Sequence, residues 1–298
     1  MTGNAADFRL DPNLVQHSFE RAASTYDRVA ILQYEVGSRM LERLDLIRIS
    51  PQTIIDVGCG TGIVTTTLLK KYRKANVLGL DIAPAMLRIA RKRAPWPHKL
   101  MRKLACICAD AQSLPLANAS CDMVISNLML PWCNDPDSVF HEFRRVLTPG
   151  GLLLFSTLGP DTLKELRRSW AAVDAYQHVN AFIDMHDIGD ALIRVGLAEP
   201  VMDVELITLT YSDVATLMQD LKQSGAHNVL AGRPPGLMGK DRLQAMYKAY
   251  EQFRQNGVLP ATYEIVYGHA WGAHASPARQ ATGSVSVVPL SQLQQSRR

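Results

Sequence analysis

The chain has 298 residues, 47% hydrophobic and 20% charged, a mixture that excludes a disordered or fibrous polypeptide and leaves room for one large core. No apolar run reaches the roughly 18 residues of a membrane span, and the opening residues, Met1-Thr-Gly-Asn-Ala-Ala-Asp-Phe-Arg-Leu, lack a secretory apolar core. We therefore expect a cytoplasmic protein with neither a membrane nor a nucleic-acid partner. Net charge is only +4, yet Arg88, Arg91, Lys92, Arg93, Lys99, Arg102 and Lys103 share one stretch, residues 88–103, that holds no acid. Such a stretch is either a solvated helix end or a patch that steers an acidic partner.

Residues 12–48 carry a helical pattern. Phe19, Ala22, Ala23, Tyr26, Ala30 and Gln33 fall near helical spacing, and a second stretch from Tyr34 to Ile47 puts Val36, Met40, Leu41 and Leu44 on one face. Pro51 closes the region. Strands and helices then alternate: a strand at Thr53–Val57, a glycine turn, a helix over 62–72, a strand at Asn76–Asp81, and a helix opened by Pro84 with Met86, Leu87 and Ala90 as its buried stripe. Strands at Leu104–Cys108 and 121–126 follow, then a helix over 136–147. After the Pro149-Gly-Gly turn comes a fifth strand, 152–157. This alternation predicts an α/β, doubly wound, mostly parallel sheet. Beyond it we expect helices over 161–176 and 186–195, a strand over 201–211, a helix over 213–224, a Gly/Pro-rich loop over 225–239, a helix over 240–255 and a late strand over 261–271. The expected organisation is an N-terminal helical lid (1–50), a main domain (51–272) with a helical insert at about 160–197, and a mobile tail (273–298). Cys59, Cys106, Cys108, Cys121 and Cys133 form no Cys-x-x-Cys pair, so no metal is expected. Cys106 and Cys108, two apart, are expected to be small core residues.

The glycine turn raises the chemical question. Gly58, Gly60 and Gly62 follow a strand and open a helix, where missing side chains let a ligand approach the backbone. The dinucleotide fingerprint is G-x-G-x-x-G; here the spacing is G-x-G-x-G, with Asp56 two residues earlier. A pyrophosphate is poorly served by that carboxylate. A ligand with an ammonium group, a carboxylate and a ribose is better served: the turn amides take the carboxylate, and Asp56 or its bound water takes the ammonium. Asp81, ending the second strand, suits a ribose diol, or caps the helix after it. Asp110, after the third strand, suits an adenine amino group, or stabilises its own turn. The three acids follow successive strands, at the edge where open α/β sheets bind ligands.

Taken together, Asp56-Val-Gly-Cys-Gly-Thr-Gly, Leu80-Asp81, Ala109-Asp-Ala, Asp122-Met-Val-Ile-Ser-Asn and Leu147-Thr-Pro-Gly-Gly resemble the class I S-adenosylmethionine-dependent methyltransferases. That resemblance implies a Rossmann-like seven-stranded sheet with an antiparallel last strand. It implies S-adenosylmethionine as cofactor, held by Gln33, Asp56, Gly58, Cys59, Gly60, Gly62, Asp81, Ile82, Met86, Asp110, Ala111 and Asn127. The flanks Phe19-Glu-Arg-Ala-Ala-Ser-Thr-Tyr-Asp-Arg, Ser126-Asn-Leu-Met-Leu-Pro-Trp, Leu154-Phe-Ser-Thr-Leu-Gly-Pro-Asp, Phe182-Ile-Asp-Met-His-Asp-Ile-Gly-Asp, Gly225-Ala-His-Asn and Pro260-Ala-Thr-Tyr resemble the malonyl-acyl carrier protein O-methyltransferase family of biotin synthesis. Pro131 departs from its usual pattern. This resemblance implies methyl transfer to the free carboxylate of a malonyl thioester, with the acidic carrier protein as partner. A carboxylate is already ionised at neutral pH, so no general base is sought. Tyr26, Asn127 and Trp132 are the expected catalytic residues, with Tyr26 and Gln33 on one face of a lid helix. Packing alone is the competing reading for Tyr26 and Trp132, and helix capping is the preferred one for His186 and Asp187. Rival activities are methylation of another small acid or a quinone precursor, a hydroxylase-like assembly factor, and a nicotinamide oxidoreductase.

Overall fold

The computed structural model describes residues 9–101, 103–226, 228 and 239–273. The expected mobile tail, most of the 225–239 loop and Arg102 lie outside them. Five strands run parallel: β1 (Thr53–Val57), β2 (Asn76–Asp81), β3 (Leu104–Cys108), β4 (Cys121–Asn127) and β5 (Leu147–Leu158). β6 (Leu197–Tyr211) and β7 (Leu259–Gly272) complete a seven-stranded sheet ordered β3-β2-β1-β4-β5-β7-β6. β7 is antiparallel to both neighbours, β5 and β6. The fold is the α/β doubly wound one expected.

Side chains alternate across each strand, so the sheet is packed on both faces. One face gathers Ile54, Met123, Ile125 and Leu154 with Val36, Met40, Leu68 and Tyr250. The other gathers Ile55, Val57, Val124 and Phe155 with Phe140, Phe143 and Leu192. The helices supplying these residues are α3 (Ile31–Arg43), α4 (Ile63–Lys71), α7 (Pro136–Val146), α9 (Met185–Arg194) and α11 (Lys240–Tyr250). The remaining helices are α1 (Pro12–Ala22), α2 (Tyr26–Val29), α5 (Pro84–Arg93), α6 (Trp96–Leu100), α8 (Lys164–Ala171) and α10 (Val214–Gln223).

Several expectations are corrected. The pattern through Tyr26 and Gln33 is not one helix: Ala30 (φ −77°, ψ 38°) separates α2 from α3. β5 starts five residues early, at Leu147, because Pro149-Gly-Gly is not a turn before the strand. It occupies an irregular stretch where pairing shifts between Cys121 and Met123 of β4. Cys108 is exposed at the end of edge strand β3, while Cys106 is buried. The α9 cap is Asp184, whose carboxylate accepts the His186 N–H at 2.8 Å, with Asp187 in the following turn. No helix among the described residues is long and apolar enough to cross a membrane.

Candidate active site

Where β1–β4 end, the structure opens a cleft of about 960 Å³, mouth included. Its floor is Val57, Gly58, Gly60, Asp81, Ile82, residues 109–112 and residues 127–129; Pro12, Val15 and Phe19 of α1, with Tyr26 and Gln33, form the other side.

The three glycines of the turn all take positive φ, 73°, 53° and 81° in order. They do so for different reasons. A Cβ on Gly58 would lie 2.5 Å from Met129 side-chain atoms, and one on Gly62 2.8 Å from the Ala90 Cβ, so both let the turn pack against its own protein. A Cβ on Gly60 would meet no protein atom within 4 Å. Gly60 lines the cleft, so its absent side chain leaves room for a ligand. The expectation that the turn amides grip a ligand carboxylate is corrected at four of them. The Gly58 and Cys59 amides donate to the Leu80 carbonyl (2.8 and 2.9 Å) and Gly62 to the Cys59 carbonyl (2.9 Å). Gly60 donates to Asp81 Oδ2 at 2.8 Å.

Asp81 is thereby fixed. Its Oδ1 accepts the Ala83 N–H at 2.9 Å, so the same side chain that lines the cleft also secures the entry to α5. Burial pushes its carboxyl up to about 6, against the pull of the Ala83 and Gly60 amides and with a smaller push from Glu20. Asp110 lines the cleft too, and its Oδ1 accepts the Gln112 N–H at 2.9 Å, a turn-stabilising bond. Ile82, Met86 and Ala111 are apolar wall beside these acids.

Asp56 is placed otherwise. It is 1% exposed, is not part of the cleft wall, and accepts a hydrogen bond from the Thr65 hydroxyl of α4. Burial pushes its carboxyl up to about 7; the Thr65 bond lowers it and the Asp81 charge raises it. Contact with a ligand's ammonium group is therefore not what this side chain makes. Cys59 likewise turns away, against Leu87, Ala90 and Cys106, and Gly62 lies behind the turn.

Asn127, Gln33, Tyr26 and Trp132 all reach the cleft. The Asn127 amide ties three elements together: Nδ2 donates to the Gln33 carbonyl at 2.9 Å, and Oδ1 accepts from the Ser156 hydroxyl of β5 at 2.8 Å. Burial, then the charges of Asp81 and Asp27, push the Tyr26 phenol far up, so it stands as a neutral donor. Trp132 meets the Phe19 ring edge-on, with centroids 5.0 Å apart.

Val15 and Pro12 were legible only as part of a helical pattern, Phe19 and Ala226 lay in stretches that carried the resemblance without a role of their own, and Ser224 was read only as a helix end. Long-range contacts bring them in. The Ser18 hydroxyl donates to the Gly225 carbonyl at 2.7 Å, and Gln16 Nε2 to the Ile82 carbonyl at 2.9 Å. Asn134 exchanges hydrogen bonds with the Leu10 backbone at 2.7 and 2.9 Å. Among the described residues no cluster of His, Cys, Asp and Glu is arranged to hold a metal ion.

Comparison with known proteins identifies the family and the fold. Residues 55–155 match a family described as Methyltransferase domain. The malonyl-(acyl-carrier protein) O-methyltransferase of Laribacter hongkongensis (strain HLHK9) is 54% identical over 94% of this chain and 96% of its own. The enzyme of the same name from Methylovorus sp. (strain MP688) is 51% identical over 93% and 94%. Among solved structures, the YcgJ protein of Bacillus subtilis superposes with a TM-score of 0.56 at 14% identity, over 79% of this chain and 98% of its own, a likeness of fold. With a relative more than half identical along nearly its whole length and a methyltransferase-domain match running from β1 to β5, the chain belongs to the malonyl-(acyl-carrier protein) O-methyltransferase family.

Proposed function

We propose that the cleft binds S-adenosylmethionine and that the protein methylates the free carboxylate of a malonyl thioester carried on acyl carrier protein, the reaction the resemblance places in biotin synthesis, in the cytoplasm. The residues fit the donor. Asp81, pinned by two backbone amides, offers its remaining lone pairs to a ribose diol. Asp110 can accept from an adenine amino group, and Ile82, Met86 and Ala111 supply apolar surface beside it. The open face of Gly60 accommodates the amino-acid portion. When bound, S-adenosylmethionine supplies a methyl group on a sulfonium leaving group.

The chain's own residues have little proton chemistry to perform. The acceptor carboxylate is ionised at neutral pH and already nucleophilic. Tyr26 donates from a neutral phenol, and Asn127 holds Gln33 and β5 in register. The observation that carries this reading is that, among the described residues, those lining the cleft include no Lys, Arg or His. A carboxylate there is met by neutral donors, which orient it without quenching its nucleophilicity. The Phe19–Trp132 pair and Val15 keep water out, so alignment and desolvation do the catalytic work.

Mass spectrometry of malonyl-acyl carrier protein after incubation with S-adenosylmethionine is expected to register the gain of a single methyl, retained on the malonyl fragment when the acyl group is released. An unchanged mass, with methylation of another small acid or of a quinone precursor instead, would reassign the substrate.

Docking of the carrier protein on the basic stretch 88–103 is part of the same proposal. Arg93 is engaged in an ion pair with Asp27, and Lys103 donates to the Lys74 carbonyl at 3.0 Å, so neither is a clean probe. Arg91 and Lys92 are exposed, and because Arg91 Nη2 also donates to the Cys106 carbonyl at 2.8 Å, thermal stability is measured alongside. Reversing both to Glu is expected to raise KM for the carrier-bound substrate several-fold, to about tenfold, while sparing a small malonyl thioester. Equal effects on the two substrates would remove the docking site.

A further inference from the structure

The helix that presents Tyr26 is four residues long and fully buries none of them, Tyr26 itself being half-buried. One helical turn has no stability of its own, so contacts from outside must hold it. Some come from α10, which packs on α2 and whose Gln223 carbonyl accepts from the Thr25 hydroxyl at 3.1 Å; the side-chain contacts from α2 itself come from Asp27. Its Oδ1 accepts a hydrogen bond from the Thr61 hydroxyl at 2.6 Å, and its Oδ2 pairs with Arg93 Nη2. Arg93 returns to the same threonine, donating from Nε to the Thr61 carbonyl at 2.9 Å. Thr61 is 1% exposed and stands between Gly60 and Gly62. The three residues therefore close a ring that joins α2, the glycine turn and the end of α5. Neither Asp27 nor Arg93 lines the cleft; Tyr26, next in sequence to Asp27, does, packed against Ala83 and Met86.

We propose that the Asp27–Thr61–Arg93 ring is a latch that positions Tyr26 over the donor site and ties the placement of the cleft's roof to the glycine turn. Asp27 and Arg93 are positioning residues in this assignment, which rests on the cleft being the donor site. The ion pair alone is too exposed to matter much, with side chains 32% and 41% open for Arg93 and Asp27. The hydrogen bond from the buried threonine and the forked geometry of the guanidinium make the ring directional. A latch of this strength leaves the sheet and its core untouched, yet it is large against what α2 possesses by itself.

The test uses Asp27→Ala, which removes both arms, and Asp27→Asn, which keeps an acceptor for Thr61 and drops the ion pair. In the ligand-free protein, amide exchange over residues 26–30 is expected to quicken by about fivefold or more in Asp27→Ala and less in Asp27→Asn, with the sheet unaffected. In turnover, Asp27→Ala is expected to lower kcat about tenfold with KM for the malonyl thioester little changed. In a Tyr26→Ala background the same substitution should cost nothing further, because the side chain being positioned is gone. Wild-type exchange rates over 26–30 overturn the latch, as does a kcat loss that multiplies with that of Tyr26→Ala. If the wild-type protein methylates no malonyl thioester, the functional reading fails, and the exchange measurement still decides whether the latch exists.

Discussion

Gly60→Val is expected to abolish binding of S-adenosylhomocysteine while leaving a folded protein. The residue has φ 53°, where a β-branched side chain is strained by about 1–3 kcal/mol. A domain stable by about 5–15 kcal/mol tolerates that loss. No atom of the protein stands within 4 Å of the new Cβ, so the valine fits the fold and fills the cleft instead. It also disturbs the peptide whose N–H holds Asp81 Oδ2. The neighbouring glycines make the control. In Gly62→Val the Cβ would lie 2.8 Å from that of Ala90, and in Gly58→Val 2.5 Å from Met129, so both should lose stability before the ligand is added. Circular dichroism separates the two outcomes and calorimetry reads binding. A Gly60→Val protein that binds S-adenosylhomocysteine with wild-type affinity would show that the ligand does not approach the turn there.

Much of this arrangement was legible in the residues. β1, β2 and β3 were bounded correctly because each is a short apolar run stopped by glycine, aspartate or proline chemistry. β5, β6 and β7 were read short. β5 opens through Pro149-Gly-Gly, which looks like a turn until its pairing with β4 is known. β6 is an edge strand whose Val201 and Leu206 stay 51% and 59% exposed, so its alternation was faint. The break at Ala30 was hidden because Tyr26 and Gln33, seven residues apart, suit a straight helix as well as two pieces that converge on one cleft.

The acids divide in the same way. That Asp56, Asp81 and Asp110 stand at successive strand ends was readable; where each side chain points was less so. For Asp56 a signal existed. Ile55 and Val57 face the helices on one side of the sheet and Ile54 the other, so strand parity puts Asp56 with Ile54, toward α4, where it meets Thr65. The amide partners of the turn, and the ring from Asp27 to Arg93 across 66 residues, depend on tertiary contacts that no local pattern announces.

Asp81→Ala is expected to weaken S-adenosylhomocysteine binding by roughly 1–3 kcal/mol, the scale of a charge-assisted hydrogen bond, and the pH dependence identifies the group responsible. In the free protein burial holds the Asp81 carboxyl at about 6 rather than its ordinary 3.8, with Glu20 adding to the shift; Asp56 behind it stands at about 7. Both folded values are raised. Each group therefore contributes stability that is complete below the ordinary carboxylate range and is lost as pH rises through about 6 for Asp81 and about 7 for Asp56. The bound ligand has the opposite preference, because a ribose diol donates to the carboxylate and not to the acid. Affinity should then climb as pH rises to about 6 and level off above it, by at most about tenfold per pH unit on the acid side. The thermal shift produced by the product should grow from about pH 5 and flatten above about pH 7, even as the free protein softens over that range. Asp81→Asn keeps the size of the side chain and removes its titration, so it should flatten the affinity profile near 6, leaving only the shallower trend of Asp56. A wild-type thermal shift indifferent to pH, or a slope at 6 that survives Asp81→Asn, would place the ribose elsewhere in the cleft.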